Sequence, residues 1–190
     1  GIILEDDCLP NDSFFYFCDL LLEKYKCDQR IGQISGFNGL GKYQRNDCSY
    51  HFSNFGSIWG WATWKRAWNS YLVDMDGYPS IKESRYIHNL INDKKDLYNR
   101  IKQFDKTHEG LIDTWDYQWI YCRLVNRYLT ILPCVNLITN IGFGPEATHT
   151  KSDNDKLSKV NSHQMNFPLT HPAHFFPDYD FERLIRKIKE

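Results

Sequence analysis

An excess of charge of either sign is absent from this sequence. Lys and Arg number 23 against 24 Asp and Glu, a formal charge of −1, so nothing in the balance draws the chain to nucleic acid or to an acidic membrane. No run of about 18 apolar residues is present, so no transmembrane segment is expected. No repeat is visible. The cysteines Cys8, Cys18, Cys27, Cys48, Cys122 and Cys134 show no C-x-x-C spacing, which argues against zinc. Several fall inside predicted helices and strands and read as buried thiols of a reducing compartment, the cytoplasm. Their even count leaves disulfides formally open.

Aromatic residues are plentiful, at 16% of 190 residues. They serve cores, and they also line grooves that stack against sugars and bases. The length fits one domain with a proper core, and residues 1–190 are expected to form a single α/β domain.

The densest signal is Ile2-Ile3-Leu4-Glu5-Asp6-Asp7-Cys8-Leu9-Pro10. Three apolar residues that read as a buried strand run into three carboxylates, and mutual repulsion makes such a triplet tolerable only where water or a cation relieves it. The carboxyl end of a strand is where open α/β sheets hold ligands, and hard oxygen donors there suit Mg or Mn with a nucleotide diphosphate. A solvated acidic turn would explain the same nine residues. Because a nucleotide pocket needs several successive strand-to-helix loops, the chain is expected to be the carboxyl-terminal part of a larger domain, with earlier nucleotide-binding strands supplied by a missing N-terminal half.

Pro10 to Ser13 supply turn and N-cap chemistry, and Phe14 to Tyr25 has helical spacing. Arg30 to Ser35 reads as a strand. The glycine-rich loop that follows, Gly36 to Lys42, is not a P-loop, because Tyr43 stands where Ser or Thr should bind the metal. It would form a turn or approach a substrate closely, with Asn38 as the candidate contact. Ser57 to Trp68 holds Trp59, Trp61, Trp64 and Trp68. A helix from Ala62 would put Trp64 and Trp68 on one face against the core, leaving Trp59, Gly60 and Trp61 as a substrate wall. Residues 79–104 read as surface helices. A helix from Ile112 to Asn126 would carry Asp113 and Asp116 at i, i+3 near its N-terminus, an arrangement helix stability alone could explain. Leu129 to Pro133 and Val135 to Asn140 read as strands, and Glu146 to Val160 as a polar, mobile loop. A C-terminal helix over 178–190 carries the apolar stripe Phe181, Leu184, Ile185 and Ile188, which must dock on something.

The order of these pieces, over about residues 1 to 150, resembles the C-terminal half of a GT-A fold, nucleotide-sugar-dependent glycosyltransferase of the bacterial family-2-like and N-acetylglucosaminyltransferase I type. Leu4-Glu5-Asp6-Asp7 resembles the metal-binding D-x-D element. Trp59-Gly60-Trp61 resembles an acceptor-side Gly-Trp segment, Trp115-Asp116 with Trp119 the helix bearing the catalytic base, and Asn140-Ile141-Gly142-Phe143-Gly144 the entry to a loop that closes over the donor.

The resemblance implies a Rossmann-like mixed sheet flanked by helices. It implies an inverting, metal-dependent transfer from an NDP-sugar donor to a glycan acceptor in polysaccharide or glycoconjugate assembly. Asp7 would ligate Mn or Mg, with His149 as a further ligand, or as a plain loop histidine. Glu5 and Asp6 would hold ribose or metal-bound waters, and Lys151 and Lys156 could meet the pyrophosphate. Asp116 would be the base, with Asp113 as the alternative. Two other readings stay open: a non-catalytic carbohydrate-binding remnant, and a metal-dependent hydrolase built on Asp7 and Asp116.

Overall fold

The structure, a computed structural model, describes residues 1–91, 93–143, 157 and 160–188. In chain order its elements are β1 (Ile2–Ile3), β2 (Cys8–Pro10), α1 (Asp12–Lys24), β3 (Ile31–Ser35), β4 (Tyr50–Ser53), β5 (Trp61–Ala62), α2 (Lys65–Trp68), α3 (Tyr78–Glu83), a 3-10 turn (Tyr86–Asn89), α4 (Lys94–His108), α5 (Asp116–Val125), β6 (Leu129–Pro133), β7 (Ile138–Asn140) and α6 (Tyr179–Ile188). The architecture is mixed α/β. The chain groups into two compact units, Gly1–Lys65 with Leu129–Glu190, and Arg66–Tyr128. No helix among the described residues is long and apolar enough to cross a membrane.

The first unit holds a five-stranded sheet of order β1-β5-β3-β6-β4 and a two-stranded ribbon, β2-β7. β5 runs antiparallel to both β1 and β3, β3 runs parallel to β6, and β4 is antiparallel to β6. It follows that β1, β3 and β6 run in one direction, so their carboxyl ends share one edge of the sheet. The acidic turn follows β1 on that edge, and the glycine-rich loop follows β3.

Helix α1 covers this sheet. Asn11 caps it by accepting the Ser13 amide at 3.0 Å, and Phe14, Phe17, Cys18 and Leu21, spaced i, i+3, i+4, i+7, are buried against Ile31, Ile34, Ile131 and Ile138. Each such side chain contributes roughly 1.5–3 kcal/mol on leaving water. Two expectations are corrected here. β1 is an edge strand, half-buried rather than buried, because it pairs on one side only. The helix predicted from Ala62 is reduced to Lys65–Trp68, since Ala62 is taken into the sheet between Ile2 and Ile34. Trp64 and Trp68 therefore share no helix face. Trp64 instead donates its indole N–H to the Leu22 carbonyl at 2.9 Å.

The C-terminal helix docks on β4. Asp178 precedes it and accepts the Asp180 and Phe181 amides, so the helix starts at Tyr179. Phe181 and Ile185 pack with Leu132, while the buried Glu182 carboxylate accepts from the Ser53 hydroxyl and the Asn54 amide at 2.9 and 2.7 Å. Leu184 is left exposed.

Under this helix lies His51, 7% exposed, its ring against those of Phe181 and Tyr43 at 4.4 and 5.1 Å. Its Nε2 has no hydrogen-bond partner. Burial pushes its pKa down to about 4, opposed by Asp178 and aided by Arg45. The unfolded chain takes up this proton near 6.5 and the folded chain only near 4, so the associated stability is complete above about pH 6.5 and is lost as pH falls toward 4. The span corresponds to about 3 kcal/mol. Denaturant titrations at pH 7 and pH 4.5 should show a loss in the wild type that His51→Phe reduces. Equal pH slopes in the two proteins would remove His51 as its cause.

The second unit has its own core. Met75, Tyr78, Ile87, Phe104 and Tyr121 are buried together, so residues 79–104, expected as surface helices, supply interior side chains. Asp93 caps α4 by accepting the Lys95 and Asp96 amides, and Leu97, Ile101 and Phe104 follow on one face toward that core.

Candidate functional site

Glu5, Asp6, Asp7 and Cys8 form a β-turn closed by the Cys8 amide donating to the Glu5 carbonyl at 3.1 Å. The turn brings Glu5, Asp7 and Cys8 together, with a ligand atom from each lying within 4.8 Å of the others. Asp6 is exposed and outside this group. Glu5, expected near ribose or metal-bound water, thus stands beside Asp7 as a candidate ligand. Two carboxylates at that separation repel by about 1 kcal/mol in water and about 3–4 at the effective dielectric of a protein surface, which a divalent cation would reverse in sign.

Cys8 stands against the Asp7 carboxylate. Its thiol donates to Asp7 Oδ1 at 3.4 Å, and burial, with the Asp7 charge beside it, pushes its pKa up to about 12. The two carboxylates of the group offer hard oxygen. The donor set fits Mg or Mn better than a soft ion.

The ribbon fixes this turn. Cys8 pairs with Asn140 across it, and the Ile141 amide donates to the Asp7 carbonyl at 2.8 Å. Gly142 then lies against the Asp7 carboxylate, so closely that a Cβ there would sit 2.1 Å from Oδ2. Next along the chain, Phe143 meets the Trp59 ring edge-on at 5.4 Å, and Trp59 in turn meets Phe37 at 4.7 Å. An aromatic row therefore adjoins the acids, with Trp59 only partly buried.

Three of the expected substrate contacts have other work. Trp61 is 1% exposed in β5, and an indole with no accessible face cannot be a sugar wall. Gly60 adopts φ +62, accepts the Gly36 amide at 2.7 Å and packs so tightly that a Cβ would lie 2.3 Å from Ile138 Cδ1. Its lack of a side chain answers a packing need. Asn38 is fully buried. Its Nδ2 donates to the Pro133 carbonyl at 2.8 Å and its Oδ1 accepts the Leu40 amide at 3.0 Å, so it ties the glycine-rich turn to the end of β6. Beyond β6, Asn136, which carried no sequence signal, accepts the Asn38 amide and donates to the Ile138 carbonyl.

In the second unit, Asp116 opens α5. The predicted start at Ile112 is corrected to Asp116, so Asp113 lies outside the helix, exposed, and the i, i+3 relation does not hold. Asp116 is half-buried, its carboxylate accepts the Thr114 hydroxyl, and it occupies the first turn, where the helix dipole favours a negative charge. Burial, with the Asp116 charge next in weight, pushes the Tyr71 and Tyr117 phenols up. The Tyr71 hydroxyl donates to the Trp115 carbonyl at 3.2 Å.

His149, Lys151 and Lys156, with most of the predicted loop from Glu146 to Val160, lie outside the described residues. All six cysteines are free thiols. No protein-family model matches the chain, and no curated protein matches it either.

Proposed function

We propose that the chain belongs to a GT-A type glycosyltransferase domain that moves a sugar from an NDP-sugar to a glycan or glycoconjugate acceptor with inversion. The observation that carries the reading is the pairing of Glu5 and Asp7 on one turn, at the sheet edge shared by the carboxyl ends of β1, β3 and β6. Oxygen donors suit Mn or Mg, and two carboxylates leave coordination positions for diphosphate oxygens and water. Bound between them, the ion would neutralise charge developing on the diphosphate leaving group.

The remaining roles follow the resemblance. Asp116 would hold the acceptor hydroxyl and take its proton, a task for a positioned carboxylate. Trp59 offers a partly exposed ring to the sugar. The buried thiols Cys8, Cys18, Cys122 and Cys134 suit a reducing compartment such as the cytoplasm.

A donor and acceptor screen on the full-length protein, with Mn present or chelated, tests the reading by mass spectrometry. The expected product is an acceptor heavier by one sugar, formed only with metal. Free sugar without acceptor modification would make the protein a hydrolase, and saturable glycan binding without turnover would make it a binding module.

A further inference from the structure

The two faces of the five-stranded sheet are covered by different helices, and β4 serves both. Along this strand side chains alternate, so Tyr50 and Phe52 enter the core beneath α1 while His51 and Ser53 turn to α6. Leu132, opposite His51 in the register, joins Phe181 and Ile185 in a small cluster of its own, with Leu40 and Phe55 at its margin. Ile185 also rests on the glycine-rich loop, where a Cβ at Gly39 would lie 2.6 Å from its Cδ1. Helix α6 is thus one cover over β4 and that loop.

His51 is the weak point beneath it. Its ring packs against Phe181 and Tyr43, and its buried Nε2 has no hydrogen-bond partner. A protonated imidazole carries N–H at both nitrogens, so charging it in place adds a buried positive charge and leaves a donor at Nε2 with no acceptor. The charged groups around it do not supply one. Asp178, whose charge favours the proton, already accepts from the Tyr43 hydroxyl, the Arg45 guanidinium and the Asp180 and Phe181 amides. Arg45 itself opposes the proton. On α6, Asp180 pairs with Arg45 and Arg183, and Glu182 accepts from Ser53 and Asn54 with Arg186 at 3.7 Å. β6 presents only Leu132 to the ring. Water is the remaining acceptor, and α6 is the layer that keeps it out.

We propose that α6 is an acid-released cover: protonation of His51 detaches it from β4 and uncovers Leu40, Phe55 and Leu132 while α1 and the sheet beneath it stay folded. Released, the ring takes its proton near 6.5, and docked only near 4. Docking is therefore unaffected above about pH 6.5 and weakens as pH falls toward 4, by about 20-fold between pH 7 and pH 5. An element held by few buried apolar contacts can open ahead of the rest of its domain.

The test is amide hydrogen exchange by NMR on the full chain at pH 7 and pH 5, read as protection factors so that the intrinsic pH dependence of exchange is removed. In the wild type α6 should lose about 20-fold in protection while Phe17 and Leu21 in α1 keep theirs, and His51→Phe should suppress the loss in α6. If His51→Phe does not fold, the Cε1 proton of His51 in the wild type carries the test, its titration expected to coincide with the loss of α6 protection. Equal losses in α6 and α1 would make the transition global and overturn the inference. So would a loss in α6 undiminished by His51→Phe, which would move the cause to the Asp178 and Glu182 carboxylates, or a His51 that titrates while α6 stays protected.

Discussion

Asp7→Ala should lower metal-dependent sugar transfer by about 10³-fold or more and leave the fold standing. A cation bound near a leaving diphosphate contributes several kcal/mol of transition-state stabilisation, and each 1.4 kcal/mol is about tenfold in rate. The structural cost is small by comparison. The Asp7 carbonyl that accepts the Ile141 amide is backbone and survives the substitution. The Cys8 thiol loses its acceptor, a contribution of about 0.5–1.5 kcal/mol, and relief of the repulsion with Glu5 offsets part of it. A single variant thus separates a functional acid from a solvated turn. Unfolding midpoints near wild type with transfer abolished support the cation role, whereas transfer with unchanged dependence on Mn would assign the acids to the turn alone.

Helix α1 and strands β3 and β6 were legible because their signals are local. Phe14, Phe17, Cys18 and Leu21 repeat at helical spacing, and Ile31–Ser35 and Leu129–Pro133 are short segments carrying isoleucine between turn residues. β5 was not legible. Ala62 and Trp61 are strand only because Ile2 and Ile3 pair on one side and Ile34 and Ser35 on the other, and such non-local pairing outweighs the helical preference of the residues that follow. β4 depends in the same way on β6. At the site, charge alone made Asp7 visible, since three adjacent acids need an explanation wherever they fall. Gly142 gave no such sign, because its close approach to Asp7 depends on what it lacks against a distant side chain. Asn38 and Trp61 misled for the converse reason: amides and indoles serve equally as ligand contacts and as interior ties, and only burial tells the two apart.

Asp116→Asn should reduce kcat by roughly 10²- to 10⁴-fold with little change in donor affinity, the usual contribution of general base catalysis. Asparagine keeps the size of the side chain and an oxygen for the Thr114 hydroxyl, but it cannot accept a proton. Helix stability gives a competing account of the same acid, and the magnitudes distinguish them. A carboxylate in the first turn of α5 contributes about 0.3–1 kcal/mol through the dipole, enough to move an unfolding midpoint and far short of several decades in rate. Asp113 supplies the control, because it lies outside the helix and is exposed, so Asp113→Asn should leave both stability and turnover nearly unchanged. Measured on the full-length protein with saturating donor, loss of turnover at 113 rather than 116 would move the base to the segment before α5. Loss at neither, with only a small stability change at 116, would leave Asp116 as a helix-start acid and take the proton acceptor away from this helix altogether.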